Sequence, residues 1–146
     1  MTDKDFAGLK AANRKRPGLT EDRLGDLEGS LGVRFPADYA QFLRWGDGWE
    51  GWIGDASYVR LHGTDELRIA NDGRFRSAFP GLLAIGGDGG LETYAIDFRQ
   101  ALPNPGIVAV DRNSADERDV WPVARGFLEA LDAFGQARPS GDINER

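Results

Sequence analysis

Carboxylates that lie close to aromatic side chains are the residues whose types and spacing suggest chemistry. Two stretches carry them, with Asp47, Glu50 and Asp55 in residues 45–58 and Asp88, Glu92 and Asp97 in residues 82–98. Paired carboxylates beside aromatic rings are how a glycosidase cleft is built. The spacing along the chain does not give the separation of two carboxyl groups in space, and loops often carry acids for solubility. The pattern therefore favours a binding surface over acid–base catalysis.

Other catalytic arrangements have less support. His62 is the single histidine, the chain has no cysteine, and no cluster has the spacing of metal ligands. The glycine-rich run at residues 86–90 is not followed by Lys-Ser/Thr or by a helix, and Asp88 in its middle would repel phosphate. We therefore predict no enzymatic activity, no catalytic residue, no metal and no cofactor.

The charge of the chain is uneven; this suits a basic protein partner, whereas on composition alone mild acidity more often serves only solubility. The 146 residues carry a net charge of −6, with +3 in residues 1–18 and −9 in the remainder. An acidic body binds nucleic acid poorly, because it cannot neutralise phosphates, whereas it speeds encounter with a basic protein. The first five residues contain no apolar run, and no segment has the length to span a bilayer. We therefore expect a cytoplasmic protein that binds neither nucleic acid nor membranes.

A hairpin at residues 82–98 is the centre of the predicted fold. Leu82 to Ile85 form a short apolar run, and residues 86–90 contain four glycines, as a tight turn requires. After the turn, Tyr94, Ile96 and Phe98 alternate with polar or small residues, which is the period of a half-buried strand.

Helical signals precede this hairpin and follow it. Thr20 is a good N-cap for a helix that carries an apolar stripe and ends at Gly32. Pro36 predicts the start of a second helix, which residues 46–48 close. Further helices are predicted at residues 3–13, 64–70 and 127–134.

Short strands and loops account for much of the rest. Strands are predicted at residues 58–61, 107–110 and 120–123, and polar loops at residues 71–77 and 99–106. The basic cluster of Arg14, Lys15 and Arg16 has the composition of a solvated linker. The order predicts a single α+β domain with a mostly antiparallel sheet and helices packed on one face.

The three tryptophans of residues 45–58 have two interpretations. Glycine-rich spacing predicts a loop or short strand there. Tryptophans in such a segment are either core anchors that reach inward or exposed anchors for a partner. We expect at least one of the three in the core, with Trp45, at the end of the preceding helix, as the first candidate.

Two blocks of residues in this order resemble the SUKH superfamily, which includes the yeast cell-wall regulators Smi-one and Knr-four. The first block is matched by Glu28, Leu31, Gly32, Phe35, Pro36, Tyr39, Phe42, Leu43 and Gly48. The second is matched by Ile85, Gly86, Asp88, Gly89, Gly90, Tyr94, Ile96 and Asp97. A closing strand and helix match at Val123, Ala124, Phe127 and Leu128. Asp47 stands where the family commonly has asparagine, which has similar turn geometry.

The resemblance implies an α+β fold and, in bacteria, an immunity protein that neutralises a toxin, often a nuclease. It carries over no catalytic residue. We predict an N-terminal helix and basic linker at residues 1–19, a SUKH-like domain at 20–135 and a tail at 136–146. The predicted partner is a basic cognate toxin; a regulatory or scaffold role is the alternative, and the oligomeric state is left open. The expected contact residues are Asp47, Trp49, Glu50, Trp52, Asp55, Asp88 and Glu92.

Overall fold

The computed structural model describes residues 14–53, 57–99, 105–111, 113 and 116–134. Within them the strands are β1 (Arg14–Pro17), β2 (Gly46–Ile53), β3 (Ser57–Leu61), β4 (Leu82–Gly87), β5 (Glu92–Asp97), β6 (Gly106–Asp111) and β7 (Val120–Ala124). The helices are α1 (Glu21–Leu31), α2 (Ala37–Trp45), α3 (Thr64–Ala70), α4 (Gly73–Ala78) and α5 (Phe127–Phe134), with a 3-10 turn at Glu117–Asp119. None of the described helices is long and apolar enough to cross a membrane.

The strands form one antiparallel sheet in which each strand pairs with the next along the chain, in the order β1 to β7. Such a meander needs only short connections, and the predicted hairpin forms its centre as β4 and β5. The predicted α+β architecture with an antiparallel sheet is confirmed.

The helices cover the sheet unequally. Apolar residues of α1, α2, α3 and α5 join the inward residues of β2 to β6 in the main core. A second, smaller cluster lies on the opposite face, where Phe75 and Ala78 of α4, with Phe79, pack against Leu82 and Val108. The alternation of Leu82 and Leu83 between the two clusters follows from the period of a strand. One helix therefore packs on the face that the sequence predicted to be free of helices.

Local signals define α1 as predicted. The Thr20 side chain accepts a hydrogen bond from the backbone N–H of Arg23, and Gly32 ends the helix at a φ of 71°. A left-handed φ of this kind favours glycine. Pro36 directly precedes α2 and occupies its N-cap position.

Two predicted segments differ in the structure. The predicted polar loop at residues 71–77 contains α4, which begins after Asp72; the Asp72 carboxylate accepts hydrogen bonds from the backbone N–H groups of Arg74 and Phe75. The predicted basic linker is strand β1, because Arg14 to Pro17 pair with β2. The predicted helix at residues 3–13 and the tail at 136–146 lie outside the described residues.

A buried asparagine joins α3 to the central hairpin. Asn71 follows α3, and its side-chain amide donates hydrogen bonds to the backbone oxygens of Leu67 (2.9 Å) and Ala84 (2.8 Å). Its oxygen accepts one from the backbone N–H of Ala84 at 2.7 Å. The β3–β4 register is formed by Arg60 and Leu61 with residues 86 and 87, beyond Ala84. Asn71 therefore takes the place of a β3 partner for Ala84, which pairs on its other side with Ala95 of β5.

Candidate protein-binding surface

The pairing of β2 with β3 separates two sets of side chains. Trp49 lies opposite Leu61, and Gly51 opposite Val59, on the face that contributes to the main core. The residues that alternate with these along β2 and β3 project to the other face of the sheet. These are Glu50, Trp52, Tyr58 and Arg60, which we name the Trp52 surface.

Contacts within the Trp52 surface hold its side chains in place. Trp52 and Tyr58 lie directly opposite each other, with their ring centroids 5.4 Å apart in an edge-to-face arrangement. The Tyr58 hydroxyl donates a hydrogen bond to Oε2 of Glu50. Oε1 of Glu50 lies 3.5 Å from Nε of Arg60, its cross-strand neighbour. The Trp52 side chain nevertheless stays 55% exposed.

The turn between β4 and β5 borders this surface. Gly89 has a φ of 81°, and a Cβ placed on it would lie 3.4 Å from the Tyr58 ring. The turn is held by Asp88, whose Oδ1 accepts hydrogen bonds from the backbone N–H groups of Gly90 (2.8 Å) and Glu92 (3.1 Å). Leu91, in the same turn, is exposed. Among the predicted contact residues, Glu50, Trp52 and Asp88 are therefore brought into one region, with Tyr58 at its centre.

Asp47 and Trp49 do not belong to the Trp52 surface. Trp49 is only 2% exposed and belongs to the core, which argues against its predicted role as a contact residue. Oδ1 of Asp47 accepts hydrogen bonds from the backbone N–H (2.7 Å) and hydroxyl (2.9 Å) of Thr64. Asp47 therefore caps the start of α3.

Glu92 is separated from the Trp52 surface by register. Arg60 pairs with Gly87, which pairs in turn with Thr93, so Thr93 shares a face with Arg60. Its neighbour Glu92 consequently projects to the opposite face, partly exposed. Asp55 lies outside the described residues.

Sequence reasoning missed Tyr58 and Arg60 as members of the surface. The signal was present, because both alternate with the apolar residues Val59 and Leu61. Once the alternate positions are assigned to the core, period 2 places Tyr58 and Arg60 on the other face.

The surface offers an aromatic anchor with hydrogen-bonding groups around it. Glu50 is shared between the Tyr58 hydroxyl and Arg60. No group of three or more His, Asp or Glu residues that could hold a metal occurs in the described part of the chain. Behind the turn, on the core face, burial and then the Asp88 charge raise the pKa of Tyr94 to about 12.

His62 directly follows β3 and is partly buried. Burial lowers its pKa, an effect that Glu66 opposes and Arg60 reinforces. Its backbone N–H donates to the carbonyl of Ile85 at 2.8 Å, which links the end of β3 to β4. The residue is therefore mainly neutral at physiological pH and part of the packed structure.

A comparison with protein-family models gives a match over residues 18–132 to the model described as SMI1 / KNR4 family (SUKH-1). The chain belongs to this family. The comparison with curated proteins found no significant match.

Residues that carry the SUKH-1 resemblance mostly build the scaffold here. Oε2 of Glu28 accepts a hydrogen bond from the backbone N–H of Phe35 at 2.6 Å, which fixes the connection between α1 and α2. The Tyr39 ring packs against both Phe42 and Phe127, with ring centroids 6.0 and 5.1 Å away. The family pattern thus specifies the core of this SUKH-1 domain and the β4–β5 turn, and the residues of the Trp52 surface lie outside that pattern.

Proposed function

We propose that this SUKH-1 domain is a non-enzymatic protein-binding module that acts as an immunity protein in the cytoplasm. It would neutralise a cognate toxin by covering the toxin's active site with the Trp52 surface. Family membership supports the general role, and the observation that carries the proposal is the exposed Trp52 ring, packed against Tyr58 near the end of the β2–β3 strand pair.

The physical basis is the preorganisation of Trp52. Most of the energy of a protein interface comes from a few aromatic or arginine anchors. An anchor loses less conformational entropy on binding when its own contacts already restrict it. Tyr58 packs against Trp52 from the neighbouring strand, and Glu50 in turn holds Tyr58 through its hydroxyl. Trp52 is therefore presented by two paired strands.

Charge supports a basic partner. The chain outside its first 18 residues carries a net charge of −9. A nuclease toxin needs a positive cleft to bind its substrate, and complementary charge accelerates the encounter of two proteins. We infer that the acidic body attracts such a toxin, whereas Trp52 supplies the specific contact.

Co-expression with the toxin encoded by an adjacent gene tests this proposal. Wild-type protein should protect cells, and Trp52→Ala should remove protection and weaken toxin binding by roughly 30-fold or more, as for an interface hot spot. Ile69→Ala is the matched control, because Ile69 is an apolar residue of α3 with 74% exposure outside the Trp52 surface. It should protect like wild type.

Two outcomes would contradict the proposal. If the toxin kills equally with and without the wild-type protein, this toxin is not the cognate partner. Full protection by a folded Trp52→Ala variant would show that the toxin does not bind through the Trp52 surface. Binding to cell-wall or signalling components in place of any toxin would instead favour the regulatory alternative.

A further inference from the structure

A cavity of about 270 Å³ lies at the other end of the β4–β5 hairpin from the Trp52 surface. It is formed where the α1–α2 connection meets α4 and the open end of the hairpin. The lining residues are Gly32, Val33, Arg34, Arg76, Gly81 and Phe98. The proposed toxin-binding role does not use this site.

Two arginines contribute positive charge to the cavity. Nη1 of Arg76 donates a hydrogen bond to the carbonyl of Leu31 at 3.2 Å, which fixes its guanidinium beside the C-terminus of α1. None of the ion pairs among the described residues involves Arg34 or Arg76. Both guanidinium groups therefore retain donors for a ligand, and a bound anion would reduce the repulsion between them.

Asp97, which precedes the lining residue Phe98, does not offset the positive charge of Arg34 and Arg76. Asp97 accepts hydrogen bonds from Nε (2.8 Å) and Nη2 (2.9 Å) of Arg99 in a bidentate pair. The Arg99 side chain also covers Gly81, whose φ of 88° favours glycine. Asp97 is therefore neutralised locally by Arg99, while Arg34 and Arg76 are left for other partners.

Apolar groups form the rest of the wall. Val33 and Phe98 are partly buried and pack against the main core. A cavity of this volume holds one small group, below the usual size of a site for a drug-sized ligand. Guanidinium groups recognise carboxylate and phosphate oxygens in a planar, often bidentate geometry. The Phe98 ring beside them suits an apolar or aromatic substituent.

We propose that this cavity binds a small organic anion, namely a carboxylate or phosphate attached to one apolar or aromatic group. Arg34 and Arg76 bind the anion, and Val33 and Phe98 contact the apolar group. The site is independent of toxin binding, so its test and that of the Trp52 surface can fail separately.

Titrations of the isotope-labelled full chain, followed by NMR, test the proposal with matched probes. N-acetylphenylalanine and phenyl phosphate should shift the backbone amide signals of Gly32, Gly81 and Phe98 in a saturable way. The amide of N-acetylphenylalanine, which lacks the charge, and acetate, which lacks the ring, should bind at least tenfold more weakly. The tighter of the two anionic probes then shows whether a carboxylate or a phosphate is the preferred group.

Variants connect binding to the two arginines. Arg34→Gln, at an exposed position, should keep the fold and weaken binding of the anionic probes about tenfold. Arg74→Gln is the matched control, because Arg74 lies on the same helix as Arg76, is exposed and does not line the cavity. Unsaturable shifts, equal binding of the neutral amide, or an equal affinity of Arg34→Gln and wild type would each overturn the proposal.

Discussion

Trp52 and Tyr58 pack edge to face across the β2–β3 pair, with an angle of 72° between their ring planes. Trp49, three residues earlier, lies in the core between the sheet and its helices. The same strand thus presents one tryptophan to the interior and another to solvent, and this difference can be measured.

Substitution of the two tryptophans should separate their roles in stability. Trp49→Ala should lower the free energy of unfolding by about 3–5 kcal/mol, because it leaves a large cavity in the core. Trp52→Ala should cost no more than about 1.5 kcal/mol, since it mainly loses the Tyr58 ring contact. Urea denaturation of both variants measures the difference, and similar losses would contradict the assignment of faces.

Asn71→Ala should destabilise the domain through the hairpin. It leaves the backbone N–H and carbonyl of Ala84 without their partner, and a buried polar group left unpaired costs about 1–3 kcal/mol. We expect a loss of about 2–4 kcal/mol in the free energy of unfolding. Asn113→Ala, at an exposed position, should change it by less than about 0.5 kcal/mol. Rapid amide hydrogen exchange at Ala84 in the variant would locate the effect.

Asp47 should act as a helix cap and not through its charge. Asp47→Ala removes both hydrogen bonds to Thr64 and should cost about 1–2 kcal/mol of stability. Asp47→Asn keeps an acceptor oxygen at the same place and should stay within about 0.5 kcal/mol of wild type. Thermal unfolding compares the two, and toxin affinity should be unchanged in Asp47→Asn. A loss of affinity in that folded variant would restore Asp47 as a contact residue.

His62 should make the stability of the domain depend on pH. Burial lowers its pKa in the folded state below the ordinary value of 6.5, so the unfolded chain binds more protons as the solution becomes acidic. This contribution to stability is present above about pH 6.5 and is lost as the pH falls through that value towards the folded-state pKa.

The comparison of wild type with His62→Gln isolates the effect from the titration of carboxylates. The difference in the free energy of unfolding between the two proteins should shift in favour of the variant as the pH falls from 8 to 5. A difference that is constant with pH would show that His62 has the same pKa in both states.

Elements with strong local signals were predicted from the sequence. The boundaries of α1 follow from Thr20 and Gly32, and its buried face from leucines at helical spacing. The β4–β5 hairpin follows from a glycine-rich turn between apolar and alternating residues. In these cases the residues that determine the structure are neighbours in the chain, so one segment contains the necessary information.

Elements that depend on distant partners were missed. Strand β1 has no strand pattern of its own, and Arg14 to Pro17 are extended because β2 supplies the hydrogen bonds. Helix α4 has six residues, too few to show a helical period, and is stabilised by packing of Phe75 and Ala78 on the far face of the sheet.

The sequence likewise indicates one part of the candidate site, and the tertiary structure decides the other. The aromatic and acidic residues of 45–58 and the turn at Asp88 are evident in the sequence, and the Trp52 surface that we propose lies in and beside these segments. Which tryptophan faces solvent was decided by the tertiary structure alone. The two faces of a strand are equivalent until the packing of helices covers one of them, and here that packing buries Trp49 and leaves Trp52 exposed.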